Sequence, residues 1–302
     1  MLGIIGDLVE DIIVWLAEDV QHGTDTDVEL FHVRGGSAAN VAGFASRLGP
    51  TRFIGCVGDD RLGDALVQKL AAEGVDVRVQ RRGDTGTIVI LIDPTGERTM
   101  LPHRGAATRL ERVPDEWLDG LQVLHVPAYS FDGEPVGSTA IDAIRRARRR
   151  GILVSIDASS TGMLTHYGVQ RFIDLMAELK PHFIIGNNSE SALLGLSVAG
   201  EPGENLVRFA DTIVVTKAGA EPTVIHRPGA DRIVVPVPPV DEIKDLTGAG
   251  DAFAAGFLST FIASGDLTEA CVSGHAIAAK VLASPGATAA WNSGAENSGA
   301  KS

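Results

Sequence analysis

The chain has 302 residues, of which 44% are hydrophobic and 22% charged, and its formal net charge is −13. This composition is ordinary for a globular protein with a sizeable core, and the acidic balance argues against a nucleic-acid partner, because neutralising phosphates requires clustered Lys and Arg. The N-terminus lacks the basic start of a signal peptide, and no apolar run approaches the length of a membrane span. Two widely separated cysteines in apolar contexts indicate buried thiols of a reducing compartment. We therefore expect a cytoplasmic protein that binds neither nucleic acid nor membranes.

Short apolar runs alternate with helical patterns along most of the chain. The predicted strands are Leu2–Ile5, Arg52–Val57, Val123–Val126, Ile152–Ile156, Phe183–Ile185 and Thr212–Thr216. The predicted helices are Ala38–Leu48, Leu62–Glu73, Ser138–Arg150, Gln170–Leu179, Ser189–Leu194, Ala252–Ser264 and Leu267–Ala283. Continuous apolar strands that alternate with helices predict an α/β fold in which helices cover both faces of a parallel sheet.

Two stretches depart from this alternation, at about residues 11–34 and 85–103. The first is polar-rich and alternating, and the second contains two strand-like runs around the turn 93–96. We expect both to form one small β-sheet that projects from the core as a lid; the alternative is a pair of edge hairpins without such a role. Since neither a repeat nor a charge-rich linker interrupts the chain, we predict one domain over residues 1–290 and a disordered tail over 291–302.

A glycine-rich turn precedes the predicted helix Ala252–Ser264. It reads Asp-Leu-Thr-Gly-Ala-Gly-Asp over residues 245–251. A helix start presents free N–H donors and the positive end of the helix dipole, which suits an anion. Asp251 is itself an anion, and this conflict is resolved if its carboxylate accepts a proton from an alcohol while the neighbouring amides hold a phosphate. The alternative is a helix cap, since Asp is a favoured N-cap residue.

A second glycine motif, at residues 35–49, precedes a helix of small residues. Gly35 and Gly36 allow the backbone to approach a bound molecule closely. Asn40, one turn into the helix, can both donate and accept hydrogen bonds, which suits sugar hydroxyls. The alternative is a tightly packed helix with Asn40 on its polar face.

Together the two motifs resemble the signatures of the ribokinase/PfkB family of carbohydrate kinases. Residues 35–49 match its Gly-Gly element with Ala-Asn and a terminal Leu-Gly, and residues 245–253 match its Asp-Thr-x-Gly-Ala-Gly-Asp-x-Phe signature with Leu246 in place of Thr. Asn187 and Glu190 fit its Asn-x-x-Glu element, and Asp11 fits its substrate-binding aspartate. The resemblance covers about residues 1–290. It implies a ribokinase-like three-layer α/β/α core, with a central mostly parallel sheet and a small projecting β-sheet lid.

The resemblance also implies an ATP-dependent kinase that transfers the γ-phosphate to a hydroxyl of a small sugar or sugar derivative. Asp251 would be the general base, and the backbone amides of Gly248, Ala249 and Gly250 would form the anion hole. The residues that the resemblance places against the sugar are Asp11, Gly35, Gly36, Asn40 and Arg104. The residues that it places on the nucleotide side are Asn187, Glu190, Thr216, Gly219 and Thr247.

Two cations enter the same expectation. Glu190 would hold Mg²⁺ through water, since magnesium keeps much of its hydration, and Asp245 would help to hold a monovalent cation such as potassium. The alternative for Asn187 and Glu190 is a helix N-terminal cap, and the alternative for Asp245 is an Asx turn. The chain departs from the family pattern at residues 157–160, where Asp-Ala-Ser-Ser replaces Asp-x-Asn-x-Arg, and at 216–222, where the glycine spacing differs. These departures leave the substrate and the phosphate contacts open.

The acceptor is the part of the function that the sequence determines least. An anionic acceptor is favoured if several basic residues in or next to the lid segments face the site, namely Arg34, Arg98, His103 and Arg104. If Arg34 and Arg98 are solvated strand residues instead, a neutral pentose or hexose leads. A nucleoside kinase of the same family is the runner-up, with Phe31, Phe131 and Trp15 as candidates to stack on a base. A non-catalytic sugar- or nucleotide-binding regulator is the third alternative, against which the presence of Asp251 argues. Since the family often pairs its lids, we expect a homodimer through the lid sheet.

Overall fold

A computed structural model describes residues 1–240 and 242–283. The strands in these ranges are β1 (Leu2–Ile5), β2 (Val9–Leu16), β3 (Val28–Gly35), β4 (Thr51–Val57), β5 (Asp76–Arg81), β6 (Thr85–Ile92), β7 (Arg98–Gly105), β8 (Val123–Pro127), β9 (Leu153–Asp157), β10 (Phe183–Asn187), β11 (Ser197–Val198), β12 (Glu201–Pro202), β13 (Ile213–Ala218), β14 (Glu221–Arg227) and β15 (Ala230–Val235). The α-helices are α1 (Ser37–Ala45), α2 (Arg61–Ala72), α3 (Val136–Arg149), α4 (Thr161–Tyr167), α5 (Val169–Leu179), α6 (Asn188–Leu193), α7 (Ala249–Ser264) and α8 (Leu267–Leu282).

The core is a nine-stranded sheet with the order β15-β14-β13-β10-β9-β8-β1-β4-β5. The seven strands from β13 to β5 run parallel, and β14 and β15 add an antiparallel edge. Because parallel strands are connected by helices that return across the sheet, all of their carboxyl ends lie at one edge of the sheet. That edge carries the candidate site.

Hydrophobic side chains of consecutive strand residues go to opposite faces of this sheet, as the pleat requires. Ile4 packs with residues of α1, α2, α7 and α8 on one face. Ile5 packs with residues of α3, α4 and α5 on the other face. The two buried clusters give the three layers that the sequence predicts, and the mostly parallel central sheet is confirmed.

The remaining long strands form a separate four-stranded sheet with the order β3-β2-β6-β7. Asp11 in β2 lies opposite Val33 of β3 and beside Ile88 of β6. The residues of this small sheet correspond to the two stretches that the sequence analysis singles out as a lid. Between β6 and β7, the side chain of Asp93 accepts hydrogen bonds from the backbone of Thr95 at 2.8 Å and Glu97 at 2.9 Å, which confirms the predicted turn.

Several elements of the fold do not appear among the sequence predictions. These are β5, the hairpin β14–β15, the short β11 and β12, and α4. Strands β5 and β15 lie at the two edges of the main sheet and mix polar and apolar residues, so they lack the continuous apolar run that marks a central strand. The predicted domain end at residue 290 and the predicted tail over 291–302 lie outside the described residues.

The cysteines, the arginine run at the end of α3 and the apolar character of the helices are also visible in the sequence. Cys56 and Cys271 are buried free thiols, as predicted. Arginines in the basic run at the end of α3 pair with carboxylates of the same chain, for example Arg145 with Glu178 and Arg150 with Asp119. None of the helices in residues 1–240 and 242–283 combines the length and the apolar character that a membrane crossing requires.

Candidate active site

The candidate site lies where β1, β9, β10 and β13 end, between these strand ends and the small sheet. In the parallel register Asp157 of β9 lies next to Ile185 of β10, and Asn187 of β10 lies next to Lys217 of β13. Ligands of open α/β sheets bind in the crevice outside the carboxyl ends of the strands. The topology therefore brings polar residues from distant parts of the sequence to one crevice.

Helix α7 begins at this crevice with a glycine turn. Gly248 precedes the helix in a left-handed conformation with φ of 80°, which glycine adopts at no steric cost. No side chain caps the helix start, so its first amide groups are available to an anion. Of the three predicted donors, the amide of Ala249 already makes a long 3.3 Å bond to the carbonyl of Leu246.

The Asp251 side chain does not cap its own helix, so the helix-cap alternative is wrong. Asp251 is the third residue of α7, and its carboxylate reaches across to α1. Its Oδ1 accepts a hydrogen bond from Ser37 Oγ at 2.7 Å, and its Oδ2 accepts one from Asn40 Nδ2 at 3.0 Å. Burial raises the pKa of Asp251 to about 6, against the lowering effect of these two hydrogen bonds. The residue keeps partial exposure to solvent, and a pKa of about 6 suits proton transfer near neutral pH.

The glycines of the N-terminal motif make room for two aspartates. Gly36 has φ of 95°, and a Cβ atom there would clash with the carbonyl oxygen of Asp7. A Cβ atom on Gly35 would clash with the carboxylate of Asp11. These two positions therefore require glycine for reasons of packing and backbone conformation, and they let the Asp11 side chain lie against the chain as it enters α1.

Asp11 has the properties of a ligand-binding carboxylate. Burial raises its pKa to about 7, while the charge of Arg34 lowers it and the charge of Asp251 raises it. Within the described chain, its Oδ1 atom is buried and has no hydrogen-bond partner. A buried acceptor without a partner costs free energy, so the arrangement favours a bound donor such as a sugar hydroxyl.

Arg34 is 3% exposed, so the expectation of a solvated strand residue is wrong for it. Its Nη2 atom donates to Glu73 Oε2 at 3.2 Å, and its Nη1 donates to Asn40 Oδ1 at 3.3 Å. Strand β3 ends directly before α1, and the Arg34 guanidinium lies against Gly43 of that helix. Glu73, at the C-terminal end of α2, lies close enough to pair with it. Asn40 is thereby fixed from both sides, because its oxygen faces Arg34 and its amide nitrogen donates to Asp251.

Arg104, predicted to bind the substrate, is engaged by the protein. Its Nε and Nη2 atoms donate to the two carboxylate oxygens of Asp7 at 2.7 and 2.9 Å, and Nη1 donates to the carbonyl of Asp132 at 2.6 Å. Asp7 follows β1 by two residues, so this bidentate pair attaches the end of β7 to the main sheet. Two of the guanidinium donor directions are used up by the pair.

On the other side of the crevice, Asn187 and Glu190 form a capping box at the start of α6, so the helix-cap alternative describes their geometry. Asn187 Oδ1 accepts a hydrogen bond from the backbone N–H of Glu190 at 2.9 Å, and Glu190 Oε2 accepts one from the backbone N–H of Asn187 at 2.8 Å. Glu190 is 4% exposed. Burial first, and then the charge of Asp157, raises the pKa of Glu190. The negative charges of Glu190 and Asp157 repel each other, and a nearby cation would lower this repulsion.

The remaining predicted nucleotide-side residues lie along the end of β13 and the loop before α7. Thr216 is buried, and its Oγ1 lies 3.0 Å from Ser191 Oγ, so its hydroxyl is occupied inside the protein. Gly219, in the turn after β13, has φ of 64° with open space around it. Thr247 lies before the anion-hole turn, and its hydroxyl contacts Arg98.

Asp245 forms an Asx turn, in which its Oδ1 accepts from the Thr247 amide at 2.8 Å. The same oxygen also pairs with the guanidinium of Arg98 from β7. The small sheet therefore contacts the loop before α7 directly through Arg98.

Sequence reasoning missed three residues of the site. Ser37 holds Asp251, and Asp157 and Lys217 pair across the ends of β9 and β13 at 3.5 Å. Ser37 could have been found, because it directly follows the Gly-Gly pair of the matched motif. In the described residues no group of three or more His, Cys, Asp or Glu side chains is arranged to hold a metal ion.

The three aromatic residues predicted to stack on a base differ in their exposure to solvent. Phe131 is 3% exposed and packs edge-on against Phe172, so it is a core residue and not available to a ligand. Trp15 lies on the same face of β2 as Asp11 by alternation, and Phe31 lies opposite Ile13 on that face. Both Trp15 and Phe31 are about half exposed.

The chain is similar to known carbohydrate kinases over most of its length. A family profile described as pfkB family carbohydrate kinase matches residues 5–293. The chain is 31% identical over 262 residues to an ATP-dependent ribose-1-phosphate kinase of Halopiger xanaduensis, covering 85% of this chain and 82% of the relative. It is 31% identical over 281 residues to a fructokinase of Klebsiella pneumoniae, covering 87% and 84%. A solved structure of a putative ribokinase II from E. coli in complex with ATP and Mg²⁺ aligns with a TM-score of 0.80 at 21% identity, covering 95% of this chain and 94% of that chain.

Proposed function

Because the chain belongs to the pfkB family of carbohydrate kinases, and is thus a sugar or nucleoside kinase, we propose that it transfers the γ-phosphate of ATP to a hydroxyl group of a small sugar, with Asp251 as the general base. The observation that carries this proposal is the position of the Asp251 carboxylate. It lies at the start of α7 beside an uncapped glycine turn, and Ser37 and Asn40 hold its two oxygens.

In the proposed reaction, the carboxylate and the backbone amides at the start of α7 have separate roles. The carboxylate of Asp251 accepts the proton of the attacking hydroxyl, which its pKa of about 6 permits at neutral pH. The amides of Gly248, Ala249 and Gly250 donate hydrogen bonds to the charge that develops on the transferred phosphoryl group. Asn40 and Ser37 orient the base, and Asp11 accepts a hydrogen bond from the acceptor.

The nucleotide side of the proposal rests on the buried carboxylates at the other end of the crevice. We place Mg²⁺ and the ATP phosphates near Glu190 and Asp157, since the charge of Asp157 raises the pKa of Glu190 and a divalent cation relieves this repulsion. Asn187, Thr216, Gly219 and Thr247 stay as predicted neighbours of the nucleotide. The predicted potassium site at Asp245 also remains a prediction, on a carboxylate that Arg98 already neutralises.

A neutral sugar is the leading acceptor, because the basic residues of the small sheet are paired with protein carboxylates. Arg104 pairs with Asp7, Arg34 with Glu73 and Arg98 with Asp245. His103 lies beside Thr87, which in turn lies beside Glu10, on the face of the small sheet opposite to that of Asp11.

A nucleoside is the second candidate, and a separate observation favours it. Phe31 and Trp15 are about half exposed on the face of the small sheet that carries Asp11. Large aromatic faces next to a hydroxyl-binding carboxylate suit a ligand that combines a sugar with a flat base.

We also propose that the chain forms a homodimer through the small sheet. On the face of this sheet opposite to that of Asp11, Leu30 of β3 and Leu101 of β7 are about half exposed to solvent. The register puts them on the same face, because Leu30 lies opposite Val14 and Leu101 opposite Val89. Large apolar side chains exposed together mark an interaction site. Sedimentation at micromolar concentration should give a dimer, and a substitution of Leu101 by Glu should give a monomer; a wild-type monomer contradicts this part of the proposal.

The test of the function is an ADP-release assay with ATP and Mg²⁺ over a panel of pentoses, hexoses, sugar phosphates and nucleosides. Turnover with a neutral sugar supports the leading proposal, and turnover with nucleosides alone supports the second. Binding of ligands without turnover by the wild-type chain shows a non-catalytic regulator and contradicts the proposed reaction.

A further inference from the structure

We propose that the ammonium group of Lys217 contacts the phosphoryl group while it is transferred, and that Lys217 is therefore a further catalytic residue beside the amides of the anion hole. This inference rests on the proposed function and assigns a role to a residue that neither motif contains. Lys217 is the penultimate residue of β13.

Lys217 reaches the glycine turn at the start of α7. The Lys217 side chain crosses from the end of β13 to the start of α7, where its Nζ atom would lie only 3.3 Å from a Cβ atom on Gly250. The same Nζ lies 5.7 Å from the ring centre of Phe253 in α7. The ammonium group thus lies immediately beside the glycine turn, where a Cβ atom at position 250 would be in tight contact with it.

The positive charge of Lys217 influences both sides of the crevice. The charge of Lys217 acts on two carboxylates of the crevice, because it lowers the pKa of both Asp251 and Glu190. Its side chain is 17% exposed, so its charge is screened little by water. Asp251 is the proposed base and Glu190 lies on the proposed metal side, so the ammonium group is near enough to influence both ends of the proposed transfer.

The simpler role for Lys217 is to neutralise Asp157, and the geometry shows that this contact is weak. The Nζ–Oδ2 distance is 3.5 Å, at the outer limit of a hydrogen bond. Asp157 Oδ1 has a shorter bond of 2.8 Å from the amide of Ser159. A lysine ammonium group has three donors, so the contact with Asp157 leaves it able to donate to a phosphate oxygen at the same time.

In the proposed step the bond between the γ-phosphorus of ATP and its bridging oxygen breaks, and a bond between that phosphorus and the acceptor oxygen forms. The proton of the acceptor hydroxyl goes to Asp251, and ADP leaves with the electron pair of the broken bond. Lys217 stays protonated throughout. It donates hydrogen bonds to the non-bridging oxygens, whose charge is spread in the transition state.

The test is a comparison of Lys217→Met and Lys217→Arg with the wild-type enzyme, using the acceptor that supports turnover. Loss of one donor to a developing oxyanion costs about 100-fold in kcat, so we expect a loss of this size in Lys217→Met, with the acceptor KM changed less than about 3-fold. Lys217→Arg keeps the charge and should recover part of the loss. The control is Lys69→Met, on the exposed surface of α2, which should retain wild-type kcat. Thermal melts show whether each variant is folded.

Two further readouts separate catalysis from an indirect effect. If Lys217 acts only by lowering the pKa of Asp251, the defect of Lys217→Met disappears at pH 9, where the base is ionised in either enzyme; a loss that persists at pH 9 supports direct contact. Aluminium fluoride with ADP, Mg²⁺ and acceptor mimics the phosphoryl group in transfer, and its binding should weaken at least about 30-fold while binding of ADP alone changes little.

Failure of the inference is distinct from failure of the proposed function. A wild-type enzyme that turns over a sugar, together with a folded Lys217→Met variant that keeps at least half of its kcat, overturns the role of Lys217 alone. Equal weakening of ADP and of the aluminium fluoride complex also overturns it, because the residue would then bind nucleotide uniformly. A wild-type chain without turnover on any acceptor overturns the proposed function itself.

Discussion

Replacing Asp251 with Asn should stabilise the folded protein while it destroys the activity. Burial is the main reason that the pKa of Asp251 is raised from 3.8 to about 6. Because a pKa difference of one between the folded and unfolded states corresponds to about 1.4 kcal/mol, ionisation of this group opposes folding by about 3 kcal/mol. An asparagine keeps both contacts, because its oxygen can accept from Asn40 and its amide can donate to Ser37. The expected gain at pH 8 is therefore about 3 kcal/mol.

The assay is urea unfolding of the wild type and Asp251→Asn at pH 8 and pH 5. A carboxyl group with a raised pKa in the folded state destabilises fully above that pKa, and the effect declines as the pH falls from about 6 toward the unfolded value of 3.8. The advantage of the variant should therefore fall to about half at pH 5. Asp211→Asn, at an exposed position, should show neither effect. A variant that is no more stable than wild type at pH 8 refutes the view that the carboxylate is held at a cost in stability.

The pH dependence and two substitutions test the site further. The kcat/KM of the wild type should fall as the pH drops from 8 to 5, because Asp11, with a pKa of about 7, and Asp251, with a pKa of about 6, must both be ionised; a flat pH profile contradicts their roles. Ser37→Ala removes a hydrogen bond that lowers the pKa of Asp251, so the acidic limb for kcat should move to higher pH, and an unmoved limb contradicts this contact. Gly36→Ala should lower the free energy of unfolding by about 3 kcal/mol or more in urea, since it combines a positive φ with a backbone clash; a loss below 1 kcal/mol would show that the turn can relax.

The sequence predicts the parts of the fold whose signals are local. Buried parallel strands such as β1 and β10 are continuous apolar runs, and helix α7 follows a glycine-rich turn that is visible in the sequence. The edge strand β5 was missed because none of its residues is fully buried and its pattern is mixed. Local pattern is therefore informative where burial is complete and weak at the edges of a sheet.

In the candidate site, too, the features with a local sequence signal were predicted and those that depend on long-range contacts were not. The glycine motifs indicate where backbone must pass closely, and the clashes at Gly35 and Gly36 give the physical reason. The burial of Arg34 under α1 could not be predicted, because its partner Glu73 lies 39 positions away in the sequence. Lys217 was equally hidden, since only the register of β13 beside β10 brings it to the start of α7.

The most direct test of the central claim is the kcat of Asp251→Asn in a single-turnover assay with ATP, Mg²⁺ and the acceptor, at a pH where the wild-type base is ionised. The account predicts a loss of at least about 1,000-fold, with the affinity for ATP unchanged, because proton acceptance by a positioned side chain contributes on this scale. A folded Asp251→Asn variant that transfers phosphate within 10-fold of the wild-type rate would contradict it.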